Sequence, residues 1–249
     1  GVIALSATIA AMVLRFDPGP FGSVMAVFAA VFVGFATGAV SGLLHTILRI
    51  PSFMVTLGMW FVSAGLATLL LGGGTIAVRN ADIRTLIVTR ILGLPLSVWI
   101  TILIIALAVL VQARTRFGRH VMAIGGNEAI AVMAGLPILR TRAMVFAIAG
   151  AFYGLAAALA VAQLGQGNVD IGEGRLFTTI TAVVLGGTSL SGGVGGVLNS
   201  VLGVLLVTVL SNGMILLGVP PYLQQAVLGA LIIIAVASST ARKREGICK

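Results

Sequence analysis

Charged side chains are scarce. Only 8% of the 249 residues are Asp, Glu, Lys or Arg, where soluble domains average roughly 25%. With 59% hydrophobic residues, a chain of this length cannot hide its apolar surface from water. A water-soluble globular fold is excluded, and lipid is the solvent. Lysine occurs only at Lys243 and Lys249. A P-loop needs a lysine to reach the phosphates, so the chain does not hydrolyse ATP itself. Cysteine occurs once, as Cys248 in a basic tail, which excludes an internal disulfide. His45 and His120 have no Cys or acidic residue at metal-ligand spacing. They read as loop residues near helix ends, with no metal or other cofactor expected. No ionisable residue sits deep in an apolar run. Proton- and sodium-coupled carriers need such groups for their relays, so the energy for any transport comes from elsewhere. No catalytic constellation is seen, and a membrane enzyme ranks last.

The chain offers long uncharged stretches instead. Residues 20–48, 50–78, 91–113, 143–169 and 176–241 contain no Asp, Glu, Lys or Arg. A spanning helix needs about 20 apolar residues, and backbone groups in lipid must be satisfied internally, by helices or closed barrels. Barrel strands would alternate apolar and polar residues. These runs are apolar all round, so the expected fold is an all-α integral membrane protein. It is a polytopic helical bundle forming one transmembrane domain over 1–249. Eight segments are expected: 1–14, 20–46, 52–72, 95–113, 143–164, 176–190, 197–216 and 222–240. Gly- and Pro-rich connections punctuate them, and Pro51 and Pro221 suit the first turn of the helices that follow, where a missing N–H is harmless. Residue 1 is not Met and no basic region precedes the first apolar stretch. Residues 1–14 therefore do not read as a signal peptide. They read as the later part of a spanning helix, and a truncated chain is expected.

Basic residues set the orientation, since Lys and Arg are enriched in cytoplasmic loops. With 114–142 and the 242–249 tail inside, ten of the fifteen Lys and Arg residues face the cytoplasm. The net charge of +9 then divides as +8 inside and +1 outside. The basicity is a topology signal; a nucleic-acid footprint would cluster on a soluble face, and there is no such domain. Segment 176–190 is short, and a Gly-rich stretch follows it. A re-entrant loop is the alternative there. If 176–190 did not cross, the Arg242-Lys243-Arg244 tail would face outside, against the charge rule, so a crossing is expected, with a broken helix as one form of it. Ile50-Pro51-Ser52-Phe53 and Val219-Pro220-Pro221-Tyr222 open two helices on opposite sides, which inverted transporter repeats would do; chance similarity is an equal explanation.

Small residues recur every four positions at Gly34, Gly38 and Gly42, and again at Gly150, Gly154 and Ala158. Such stripes let helices approach closely, and packing within the subunit is the expected use, with a dimer contact as the alternative. The 114–142 loop holds the most informative segment. Asn127 suits a helix cap, and Glu128 suits the positive N-terminus. Gly135 and Pro137 end the helix. The result is a helix of about two turns flanked by Arg119 and Arg140. Ile130, Met133 and Ala134 give it a small apolar face. That face fits either lipid or a groove on a cytoplasmic partner.

Gly118-Arg119-His120-Val121-Met122-Ala123-Ile124-Gly125-Gly126-Asn127-Glu128-Ala129, followed by Gly135-Leu136, resembles the GxxxxAxGGNexAAxxxGI coupling region of ABC permeases of the ribose/xylose/galactose type. Ile50 to Gly58 resembles that family's IPPFIVTLG, and Ala182 to Gly193 its AAVVlGGTSLxGG. The likeness covers essentially the whole chain. Two features depart from it: the family's GGIDLSVG stretch, which precedes the part matching Gly1 to Leu5, is missing, and Gly174-Arg175-Leu176 stands where sugar permeases read GxELdaI. The resemblance implies a pathway formed with a second permease chain. Cytoplasmic ATPase subunits would use ATP, and a periplasmic solute-binding protein would deliver a monosaccharide or polyol across the bacterial inner membrane. It also implies that Gly126, Asn127, Glu128, Ala129, Ile130, Met133, Ala134 and Gly135 couple the chain to the ATPase. Polar residues within the apolar runs (Thr37, Thr56, Gln163, Thr181, Asn199 and Asn212) are candidates to line the path, with hydrogen bonding within or between helices as the alternative role. Two rival readings stand beside the sugar importer: a permease of the branched-chain amino-acid type, and a partner-free facilitator or channel.

Overall fold

The computed structural model describes residues 1–17, 19–78, 89–190, 192–231 and 233. The basic tail, residues 79–88 of the 73–94 connection and the last part of segment 222–240 lie outside the described residues. Helices dominate: α1 (Val2–Phe16), α2 (Pro20–Ile47), α3 (Ser52–Leu71), α4 (Leu96–Arg114), α5 (Arg116–Gly126), α6 (Glu128–Met133), α7 (Ile138–Leu164), α8 (Arg175–Leu185) and α9 (Val197–Leu216). Residues 221–231 are helical as well, forming α10. Among the described residues, five helices (α2, α3, α4, α7 and α9) are long and apolar enough to cross a membrane. The 28 residues of α2 rise about 42 Å at 1.5 Å each, more than the roughly 30 Å hydrocarbon core. The eleven residues of α8 rise only about 16 Å. Segment 176–190 thus holds a half-length helix that stops at Gly186, a length that both a broken crossing and a re-entrant segment have. Pro51 stands one residue earlier than expected, as the N-cap of α3, while residue 221 opens α10. Pro51 and Pro220 accept equivalent bonds from the third and fourth residues beyond them.

The chain falls into two compact units. The first comprises Gly1–Leu103 and Pro137–Glu173. Its largest contact is α2 against α7, and the small-residue stripes explain it. A Cβ on Gly34 would strike the carbonyl of Gly150, one on Gly38 the carbonyl of Phe146, and one on Gly154 the carbonyl of Ala30. The two expected stripes therefore face each other, backbone on backbone, inside the subunit. Apolar helices gain nothing from leaving lipid for one another, so close van der Waals contact is what holds them. Ala26, Ala30, Ala157, Ala158 and Val161 continue the seam and join Ala7, Ala10 and Ala11 of α1. Most of α1 is buried, packed against α2, α3 and α7.

Several hydroxyls in this unit bond back to their own helices, where lipid leaves few other partners. Thr8, Ser41 and Thr46 donate to carbonyls four residues back on their own helices. Two short connections are stitched together: β1 (Ile76–Ala77) pairs antiparallel with β4 (Gln166–Gly167), and the Val78 N–H donates to the Gly165 carbonyl at 2.8 Å. Both lie outside on the eight-segment map. From there the chain runs without helix beside α1. A Cβ on Gly167 would meet Ala11, and one on Gly172 would meet Ile3. Gly167 and Ile171 are buried, so protein covers this non-helical stretch. A second ribbon, β2 (Arg90–Ile91) with β3 (Leu94–Pro95), leads into α4, where the Trp99 indole N–H donates to the Ile91 carbonyl.

The second unit comprises Ile104–Leu136 and Gly174–Lys249. Here α8 packs on α9, again through glycine. A Cβ on Gly203 would strike the Ala182 carbonyl, and one on Gly186 the Asn199 carbonyl. At the end of α8 the Gly187 and Thr188 N–H groups donate back to Val184 and Val183. Gly187 holds φ +84°, the left-handed step that closes a helix in this way.

Candidate functional site

The site is built from the end of α4, the short helices α5 and α6, and residues 186–190 and 192–196. Thr115 caps α5, its hydroxyl accepting from the Gly118 N–H at 3.2 Å. Gly118 is buried where α5 turns back on α4, and a Cβ there would strike the carbonyl of Gln112. The exposed Arg114, Arg116 and Arg119 surround this turn.

Asn127 separates α5 from α6. Its side-chain oxygen accepts from the Ile130 N–H at 3.1 Å, the cap that the sequence predicts. Glu128 and Ala129 follow in the exposed first turn. The helix closes at Ala134 with two reverse bonds, Gly135 N–H to Val132 and Leu136 N–H to Ala131. Gly135 takes φ +70°, a conformation that costs glycine little and side-chain-bearing residues more. A six-residue helix is far below the length that is stable alone. Two caps and one anchor hold it. The anchor is Ala131, which is buried, whereas Ile130 is 63% and Met133 87% exposed. Ala134 is exposed beside them. The apolar face expected from spacing is therefore real, and it points away from its own unit. Ala131 and the exposed Val132 were not among the expected site residues; spacing marks a face without saying which face the chain itself covers.

The glycines of two motifs meet here. A Cβ on Gly193 would lie 2.5 Å from the Gly126 Cα, and one on Gly125 would lie 2.7 Å from the Gly193 nitrogen. The eight-segment map puts both connections on the cytoplasmic side, and they touch. Thr188 fastens the same connection, its hydroxyl accepting from the Gly196 N–H at 3.4 Å and lying 3.3 Å from the Ser200 hydroxyl. Gln112 joins it from α4, accepting from the Val197 N–H at 2.8 Å. That role was missed. Its only trace in the sequence is a lone amide at the end of an unbroken apolar run.

The polar residues expected along a path divide equally between the units. Thr37 is half-buried and donates to Val33 and Gly34, Thr56 is exposed and donates to Phe53, and Gln163 is exposed near the end of α7. In the second unit Asn199 and Asn212 are exposed on α9. Thr181 is fully buried and donates to Phe177 at 2.7 Å. In this conformation it has no surface to offer a solute.

Residues 1–236 match the family described as branched-chain amino acid transport system / permease component. The chain belongs to this permease family. It is similar to the probable ABC transporter permease protein YphD of Escherichia coli K12, 36% identical over 78% of this chain and 58% of that protein. It is 34% identical to the ribose import permease protein RbsC of the same strain, over 94% of this chain and 74% of the relative. It is 32% identical to the L-arabinose transport system permease protein AraH of that strain, over 79% and 60%. The chain thus spans less than two thirds of two of these three permeases. No solved structure matches it. As a member of the permease family with five helices of spanning length, it is a multi-pass inner-membrane protein.

Proposed function

We propose that the chain is the membrane-spanning subunit of an ATP-driven importer for a monosaccharide or related polyol. It works with a second permease chain, a periplasmic solute-binding protein and cytoplasmic ATPase subunits that use the ATP. The observation that carries this reading is α6: a doubly capped helix whose apolar residues turn outward in a membrane protein of the permease family. Gly126, Asn127 and Gly135 shape it, Ala131 anchors it, and Ile130, Met133 and Ala134 present the surface an ATPase groove would take. Glu128 and Ala129 form its leading edge. The ribose and arabinose names of the relatives favour a sugar over a branched-chain amino acid.

Transport then needs two states that the partners bind differently. Thr56, Gln163, Asn199 and Asn212 have surface to offer a solute in the present state. Thr37 and Thr181 would join the path only if the change between inward- and outward-facing states uncovered them. The test is reconstitution of the full-length protein with its ATPase and binding protein. Uptake should require ATP, and the binding protein should prefer ribose or arabinose to leucine. Preference for leucine would favour the branched-chain reading. Uptake persisting without the ATPase would favour a facilitator.

A further inference from the structure

Gln112 bridges from α4 to a helix 85 residues away. Its Oε1 accepts from the N–H of Val197, the first residue of α9, and its Nε2 donates to Met122 Sδ of α5 at 3.8 Å. The first N–H groups of a helix have no partner within it, so this amide serves as a cap supplied from a distance. Gly196 makes the approach possible. A Cβ there would run into the Gln112 amide, and its three nearest atoms all belong to that side chain. The φ of Gly196 is 163°, extended backbone open to any residue, so the glycine serves the approach and not a special conformation. The Gly193 contact with Gly125 and Gly126 lies beside it. Two fastenings therefore join the arm that carries α6 to the α8–α9 pair, which is itself locked through Gly186 and Gly203.

We infer that Gln112 is a positioning residue for coupling: it holds the first turn of α9 in register with α4 and α5, so that displacement of α6 is passed to the α8–α9 pair. The inference rests on the reading of α6 as the ATPase-docking helix. Without the amide, the Gly193 contact with Gly125 and Gly126 is left to carry a shift of α6 by itself; with it, the arm and the pair move as one body, the contiguous connection that coupling between sites requires.

The experiment is a double-substitution cycle on the full-length permease, reconstituted with its ATPase and binding protein and assayed with ribose. Gln112→Leu and Gly196→Ala should each lower ribose taken up per ATP hydrolysed by about fivefold or more, the low end of typical coupling factors. ATPase recovered with the permease should not change. In a Gln112→Ala background, Gly196→Ala should add little, because its three nearest obstacles are gone. Gln112→Glu, which keeps the acceptor, should restore most of the ratio. An unchanged ratio in both single variants, or losses that multiply in the double variant, would overturn the inference. Loss of ATPase from Gln112→Leu would overturn it too, by making Gln112 part of the docking site. Failure of the docking reading would show separately, as ATPase retained by Ala134→Arg. Amide hydrogen exchange needs neither ATPase nor solute: Gln112→Leu should speed exchange at Val197 and across 122–127 together. Faster exchange at Val197 alone would sink the inference.

Discussion

At the scale of single residues, α6 separates two kinds of side chain: those that make the helix and those that it displays. Asn127→Ala removes the cap to Ile130 and should weaken the local helix by about 1 kcal/mol, seen as faster amide exchange over 128–133. Ala134→Arg is different. Ala134 is exposed, so detergent size-exclusion should show an unchanged permease. A long charged side chain on the displayed face should nevertheless abolish co-purification of the ATPase. Equal recovery with both proteins would remove α6 from the mechanism. Much of this was legible in the sequence, because caps act within three or four residues and Asn127, Glu128 and Gly135 stand at the right offsets. Gln112 was not legible. Its partner is 85 residues away, and a polar residue at the end of an apolar run reads equally well as a solvated helix end.

Elements show the same division. A period of four puts Gly34, Gly38 and Gly42 on one helix face whatever the surroundings, so the stripes were visible in the sequence; that they would meet each other was an expectation which only packing could answer. Gly38→Leu should destabilise the subunit by about 3 kcal/mol or more, at the upper end for overpacking, because the obstacle is the Phe146 carbonyl and backbone yields little. Gly58 has open space where a Cβ would stand, so Gly58→Leu should leave the melting temperature in detergent nearly unchanged. Equal loss in both variants would mean that helix propensity, not the α2–α7 seam, sets the response. The two-residue ribbons escaped the sequence reading. Pairs as short as Ile76-Ala77 with Gln166-Gly167 carry no periodicity, and their pairing depends on helices already being in place. The half-length of α8 was clearer, since a Gly-Gly step at 186–187 interrupts the apolar run.

For the whole molecule, the contacts between connections make the topology testable. With Cys248→Ser as background, single cysteines in 114–136 and 192–196 should be labelled from the cytoplasmic side only. Cysteines in 73–78 and 165–173 should be labelled from the opposite side. Labelling of 192–196 and 114–136 from different sides would contradict both the charge rule and the Gly125–Gly193 contact. One consequence concerns how such a chain is made. Gly34 and Gly150 lie 116 residues apart, and at roughly 5–20 residues per second a ribosome needs about 6 to 23 seconds to travel between them. Through that interval α2 is already synthesised while the helix shaped to receive its glycine ridge has not emerged. A neighbouring copy that has already released its α7 would match it equally well, so the pause between the two halves of the first unit is the moment at which one polypeptide can be finished by another.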